Sequence, residues 1–585
     1  MDSRNQGPHN PLSRAGMPYN LARESGFENM FADCRMLRRL VCRGAASVLT
    51  LLVVGVFPGA LAAQRLVSSK KKPAIAVRQE ERVDIAKFRA RVAEILSDAR
   101  ANRAYWGISV ADRDSGRVLY ALNDDHFFTP ASNAKIFSTA LALSVLGADY
   151  RFHTTIESNA ALGSDGRLGG DLIFVGRGDP DLSNRKYPYE KGNLRDGPVD
   201  KVFAEMADAA VAKGLKEVDG DIVADDSYFP YDPYPAGWNA GDLFFAFGAP
   251  VGAIAFNDNT VTVEMRPGVT PGEIPATAVQ PEAAVKELGF ELSTVSASEK
   301  ASFAVVRQPG EHFILLRGAI SPGHAPMRTD VAMLDPAETA AGELKQLLEA
   351  RGVVVKGGIR VQHGAAPWTS ASGEPILDHP ADQRATESAP TGANPLVLAE
   401  HVSQPLLEIV RMTNKVSQNL HAEILLRAVG REKFGVGSTA AGLKAERDFL
   451  KAAGVADGDV VLSDGSGLAR DDLVTPRACV ALLRYALRQP WGESFLATLP
   501  VAGVDGTLEN RMKNTPAAGL VEAKTGSADH ARALSGYATT RNGEYLVFSL
   551  FDNNNPQHWS DAIAALDAIT EAMVETLGTK APGSK

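Results

Sequence analysis

Pro130-Ala-Ser132-Asn-Ala-Lys135 sets a hydroxyl and an amine three residues apart at a predicted helix start. Upstream, Gly107 to Val110 and Val118 to Leu122 alternate like two strands around the turn from Asp112 to Gly116. Downstream, Ile136, Ala140, Leu141 and Leu143 fall at helical spacing. Ser132 is therefore expected to begin a buried helix, and residues three apart on it share a face, so Lys135 can direct its amine at the Ser132 hydroxyl. A serine hydroxyl is a poor nucleophile until a nearby base removes its proton. Taken alone, the pair fits equally well an N-cap serine followed by a solvated lysine. Two later segments, Ser417-Gln-Asn419 and Lys524-Thr-Gly526, decide between these readings if they share the site. About 285 residues separate Ser132 from Ser417, too many for a loop, so such a site requires an inserted domain.

The rest of the chain is ordinary globular material. Its 585 residues are 45% hydrophobic and 22% charged, enough for about three or four domains. A net charge of -9, with no long basic tract in the body, leaves no footprint for nucleic acid. Residues 1–63 read as a leader: a polar front, Arg35, Arg38, Arg39 and Arg43, an apolar run from Ala45 to Phe57, then Ala60-Leu-Ala62. This is the pattern of a secretory signal peptide cleaved at Ala62 or Ala63, with translation starting at Met1, Met17 or Met36. Export to the periplasm and no lasting membrane anchor are the corresponding expectations. Cys34 and Cys42 fall in the leader, which leaves Cys479 as a buried structural thiol without an intramolecular partner.

Residues 64–82 read as a linker and 83–155 as the first part of a catalytic domain, opening on an amphipathic helix over 83–103. The insertion is expected over 156–363, with a smaller β module nested inside it. Residues 364–394, rich in Ala, Ser, Pro, Gly and Asp, read as an exposed connection. The catalytic domain is expected to resume over 395–577 with strands at 521–526, 534–539 and 545–551 and a closing helix, before a polar tail at 578–585. The unit is thus α+β: an antiparallel sheet flanked by helices and split in sequence by its insertion. Ser463-Asp-Gly-Ser-Gly-Leu468 lacks nucleophile-elbow spacing, because Asp464 stands where glycine is required. His421 reads as a packing histidine. The eleven histidines show no ligand-like spacing, so neither metal nor cofactor is expected.

Brought together, the three segments form an acyl-transfer site. Ser132 is the nucleophile, and Lys135 is its base if a desolvated, cation-rich site lowers its pKa. Lys524 is the second cation, disfavouring protonation of Lys135 and holding a substrate carboxylate to which Thr525 adds a hydroxyl. Ser417 can relay the proton to the leaving nitrogen, and Asn419 can orient Lys135 or the substrate. The backbone amides of Ser132 and Ser527, just beyond Gly526, are the expected oxyanion donors.

Ser-Xaa-Xaa-Lys, Ser-Xaa-Asn and Lys-Thr-Gly in this order form the signature set of penicillin-binding proteins and class A β-lactamases. With the long insertion, residues 83 to 575 resemble the D-alanyl-D-alanine carboxypeptidase/endopeptidases of the penicillin-binding protein 4 type. Gly176-Arg-Gly-Asp-Pro-Asp-Leu182, Asp225-Asp-Ser-Tyr-Phe229, Pro235-Ala-Gly-Trp238, Asp464-Gly-Ser-Gly-Leu468 and Asp505-Gly-Thr-Leu508 agree. The resemblance implies hydrolysis of D-Ala-D-Ala termini or D-Ala-diaminopimelate cross-links of peptidoglycan stems, through an acyl-enzyme that β-lactams trap. It also implies that Asp225 meets the amine of a diaminopimelate side chain. The chain departs from the pattern at Gln418, where Asp is more usual, and at Ser527-Ala-Asp529-His530-Ala-Arg532, where an apolar residue usually follows the serine. The competing readings are a serine β-lactamase, for which no Glu-Xaa-Xaa-Leu-Asn equivalent is found, and a catalytically silent wall-binding or β-lactam-sensing protein. Oligomeric state is left open.

Overall fold

The computed structural model describes residues 82–307, 313–366, 395–555 and 559–578. The leader, Cys34, Cys42, all but the last residue of the linker, and most of the 364–394 connection and of the tail lie outside the described residues. Ten strands build two five-stranded sheets: β1 Tyr105–Asp112, β2 Val118–Leu122, β3 His153–Ser158, β4 Leu172–Val175, β5 Ile222–Pro230, β6 Ile359–Gly364, β7 Leu396–Val402, β8 Val521–Ala528, β9 Ala531–Thr539 and β10 Tyr545–Asn553. The principal helices are α1 Val83–Ser97, α2 Lys135–Val145, α3 Lys201–Ala212, α4 Pro336–Ala350, α5 Leu406–Val416, α6 Asn419–Phe434, α7 Thr439–Ala452, α8 Pro476–Leu487 and α9 Trp559–Thr576.

The first sheet runs β2-β1-β10-β9-β8, all antiparallel. Side chains alternate across a strand, so β10 serves two cores at once. Leu546, Phe548 and Leu550 pack with Phe88 and Val92 of α1 and Leu566, Ile569 and Met573 of α9. Val547 and Phe551 pack on the other face with Cys479 and Leu483 of α8 and with α2. A sheet apolar on both faces requires helices on both, and the chain supplies them from its two ends and its middle. Cys479 is fully buried, as expected. The helix at 83 stops at Ser97 rather than running to 103, because Asp98 takes an extended conformation (φ -60°, ψ 139°) at the C-cap.

The second sheet is mixed, ordered β6-β5-β4-β3-β7, with the first three strands parallel and the last two pairings antiparallel. α4 lies over β5 and β6, its start fixed by Asp335, whose Oδ1 accepts from the amides of Ala337 (3.0 Å) and Glu338 (3.2 Å). Two three-stranded sheets follow between β5 and α4, formed by strands within 260–332. The strand expected to resume the catalytic unit, β7, instead pairs with β3 from Leu396↔Ser158 to Val402↔His153 and buries Leu398 in the second core. The chain rejoins the first core only at Leu406.

What matters for the site is the edge of the first sheet. β8 is its outermost strand, and its free side lies against a 3-10 turn, Ala131–Ala134, that leads into α2. The approach is close enough that a Cβ on Gly526 would stand 2.4 Å from the Pro130 carbonyl oxygen. Asn133 closes the seam by donating from Nδ2 to the Lys524 carbonyl (3.1 Å).

Candidate active site

Ser132 sits within the 3-10 turn rather than on the α-helix proper, and Lys135 opens α2. Lys135 is fully buried. Its Nζ has three oxygens within reach: Ser132 Oγ at 2.9 Å, Asn419 Oδ1 at 2.6 Å and the Ser466 carbonyl at 2.8 Å. A neutral amine has two hydrogens and one lone pair. The carbonyl oxygens of Asn419 and Ser466 can only accept, so both hydrogens go to them and the lone pair is left facing the Ser132 hydroxyl. That is the arrangement a general base needs.

Burial pushes the Lys135 amine down to about 8, against the pull of Asp464, Glu423 and Asp472, which favour its charge. Of the two causes expected from sequence, desolvation and the charge of Lys524, desolvation is the dominant one. Lys524, fully buried on β8, is pushed well below the ordinary lysine range by burial and by the charge of Lys135. Its Nζ donates to Ser417 Oγ and to the Thr525 carbonyl, both at 2.9 Å.

Ser417 occupies a left-handed conformation (φ 62°) at the C-cap of α5, which turns its hydroxyl towards β8. The turn is fixed from below by Lys415, whose Nζ reaches both Asp505 oxygens (2.7 and 2.6 Å) and the Leu499 carbonyl (2.7 Å). Beside Asp505, Thr507 and Thr525 share a hydroxyl contact of 2.8 Å. A cavity of about 420 Å³ opens over these groups, lined by Ser132, Ser417, Asn419 and Ser527 and, farther along, by Asp242, Phe247, Arg470, Asp529 and Arg532. The structure therefore brings Ser132, Lys135, Ser417, Asn419, Lys524, Thr525, Gly526 and Ser527 to one place.

Asp225 is not brought there. It lies buried on β5, its Oδ1 accepting from the amide (2.9 Å) and hydroxyl (2.5 Å) of Ser227. Two acidic residues lie on the cavity wall, Asp242 and the exposed Asp529, and they flank the Arg470 guanidinium at 3.4 and 3.3 Å.

The amino-acid sequence matches the profile of the D-Ala-D-Ala carboxypeptidase 3 (S13) family over residues 88–383 and 381–573. The chain belongs to the S13 family. Among curated relatives, a D-alanyl-D-alanine carboxypeptidase of Actinomadura sp. (strain R39) is 34% identical over 511 residues, covering 85% of this chain and 86% of that protein. The D-alanyl-D-alanine carboxypeptidase DacB of Haemophilus influenzae is 26% identical over 454 residues, covering 76% and 85%. The crystal structure of penicillin-binding protein 4 from H. influenzae superposes with a TM-score of 0.67 at 24% identity, covering 82% of this chain and 98% of that one. The fold is accordingly the α+β fold of the penicillin-recognising enzymes, and the chain is a hydrolase of the S13 family.

Sequence reasoning had set aside one part of this S13 site. The Ser463–Leu468 loop, which lacks nucleophile-elbow spacing and was given no role in the site, supplies the Ser466 carbonyl to Lys135. Its glycine was the available signal: Gly467 has φ +80° and a Cβ there would stand 1.8 Å from the Ala131 carbonyl oxygen, so the loop docks on the Ser132 turn only with glycine at that position. His421 is fully buried and contacts Asp258 (3.2 Å), in keeping with a packing role.

Proposed function

We propose that the chain is a serine DD-peptidase that cleaves D-Ala-D-Ala termini and D-Ala-diaminopimelate cross-links of peptidoglycan stems, and that β-lactams acylate it at Ser132. The observation that carries this reading is the Lys135 amine, held by two carbonyl acceptors with its remaining valence on the Ser132 hydroxyl. Lys135 takes the hydroxyl proton as Ser132 Oγ attacks the penultimate D-Ala carbonyl. The amides of Ser132 and Ser527 hold the oxyanion. Collapse expels the leaving amine, which receives its proton through Ser417, and water then hydrolyses the ester with Lys135 again as base. A terminal carboxylate arriving at Lys524 and Thr525 supplies the counter-charge that the buried amine lacks.

Asp242 and Arg470 replace Asp225 in the substrate role. A carboxylate and a guanidinium side by side suit a side chain that ends in both an amine and a carboxylate, as diaminopimelate does. The work site is the cell envelope, with residues 1–63 directing export to the periplasm.

The test is the intact mass of the mature chain after brief exposure to benzylpenicillin, beside Ser132→Ala, together with D-Ala release from a peptide ending in D-Ala-D-Ala. A stable single adduct and D-Ala release on the wild type only support the reading. Fast penicillin turnover without a lasting adduct would replace it with a β-lactamase, and no reaction at all with a silent binding protein.

A further inference from the structure

The base is held by two acceptors, and both are themselves held by one segment of the insertion, residues 231–250. The first acceptor is the Ser466 carbonyl. It belongs to the Ser466–Gly467 peptide, whose N–H donates to Asp464 Oδ1 at 2.6 Å while its C=O accepts from Lys135 at 2.8 Å. A peptide unit is planar and rigid, so a clamp on its N–H fixes where its carbonyl points. Asp464 is fully buried, and its two oxygens also accept from the amides of Ser466, Leu468 and Ala469 and from the Ser466 hydroxyl, at 2.9 to 3.1 Å. The remaining donor comes from outside the loop: Trp238 Nε1 reaches Asp464 Oδ2 at 2.8 Å.

The second acceptor is Asn419 Oδ1. Nine residues beyond Trp238, the Phe247 carbonyl accepts from Asn419 Nδ2 at 2.8 Å. That bond decides which end of the amide faces Lys135. One stretch of the insertion thus orients both groups that leave the Lys135 lone pair on Ser132.

We propose that Asp464 and Trp238 are positioning residues for Lys135, fixing the Ser466 carbonyl that orients the base from a segment of the inserted domain. Neither lines the substrate cavity. This rests on the acyl-transfer reading of the site. The charged and titratable groups around the pair are Lys135 of α2, Glu423 of α6, Glu446 of α7 and Asp472, with Tyr234 beside Trp238. Burial first, and then the Asp464 charge, pushes the three acids up, and Asp464, facing Lys135, favours its charged form. Removing the Asp464 charge therefore lowers the pH at which the base becomes free.

The test follows benzylpenicillin acylation by intact mass from pH 6 to 10 at several drug concentrations, on wild type, Asp464→Asn and Trp238→Phe, with melting temperatures alongside. Asp464→Asn is expected to lower the limiting acylation rate roughly 10- to 100-fold and to move its midpoint to lower pH. Trp238→Phe keeps the ring and loses the donor, and is expected to lower the limiting rate about 3- to 10-fold. In both, the drug concentration giving half the limiting rate stays at the wild-type value. A folded variant of either kind that acylates at the wild-type rate, or that loses only drug affinity, overturns the proposal. If Asp464→Asn does not fold, Trp238→Phe decides alone. A wild type that forms no adduct instead removes the acyl-transfer reading, and the positioning role falls with it.

Discussion

A lysine wholly out of water holds its proton poorly, and Lys135 has three carboxylates nearby that only partly restore it. The balance near 8 makes the free amine a minority species at neutral pH and the major one at pH 9. The acylation rate is therefore expected to rise through pH 8, with the deprotonated base rather than an ionised serine setting the limb. Lys135→Arg keeps the charge and approximate reach but cannot deprotonate, so acylation should fall by roughly 10²–10⁴-fold at every pH. Time-resolved adduct masses from pH 6 to 10 check both statements, and an arginine variant that retained wild-type rates would show that another group is the base. Ser132, Lys135, Ser417 and Lys524 were legible in the sequence because each sits in a short segment whose neighbours are fixed by local geometry. Asp464 was not, since an Asp before glycine is ordinary turn chemistry and its meaning comes only from which helix the loop docks on.

At the scale of elements, the site is a seam between separately folded pieces, and small residues set how closely they meet. Replacing Gly467 with alanine puts a side chain at a left-handed backbone position and against the Ala131 carbonyl. The backbone strain alone costs roughly 1–3 kcal/mol, and any relief moves the Ser466 carbonyl off Lys135. Gly467→Ala should therefore lower both the denaturation midpoint and the acylation rate; a loss of stability with full acylation would mean that the loop position does not matter to the base. The turn at Ser417 makes a second test. Lys415 is 5% exposed and Asp505 is its ion-pair partner, so Asp505→Ala leaves a buried ammonium with the Leu499 carbonyl and the Tyr189 ring but no paired carboxylate. Breaking such a pair costs on the order of 3 kcal/mol, read as a shift in the urea midpoint, with slower acylation as Ser417 loses its fixed turn. The helix after Ser132, the closing helix and the strands of the first sheet followed from periodicity. The partner of β7 did not, because an apolar strand of that length suits the edge of either sheet and only the core beneath it decides. The same limit applies to Asp225 and Asp242: they look alike in sequence, and it is the burial of β5 that keeps the first off the cavity wall.

Across the whole molecule, among the described residues, buried aspartates and glutamates outnumber buried lysines and arginines, and this sets stability against activity. Burial pushes Glu423 and Glu446 up to about 8 and Glu343 and Asp179 up to about 7. An acid raised in the folded state contributes stability that is complete below its unfolded pKa, near 4 to 4.5, and is lost as pH rises through the folded value. His363 behaves in the same sense. Burial opposes its charge, yet hydrogen bonds with Asp226 of β5 and Asp335 at the start of α4 outweigh this and hold it at about 9, so its contribution fades from about pH 6.5 to 9. Other groups act oppositely. Buried His421, pushed down, loses stability as pH falls below its unfolded value, and Lys135 and Lys524, both pushed below the ordinary lysine range, add stability as pH rises. Between pH 5 and 8 the four acids and His363 set the expected trend. The melting temperature is expected to fall by several degrees across that interval while the acylation rate climbs, because both trends come from ionisable groups taken out of water. Melting curves at pH 5, 6, 7 and 8 decide the matter. A flat or rising profile would mean that water reaches these acids, and Glu423→Gln should flatten the slope if it does not.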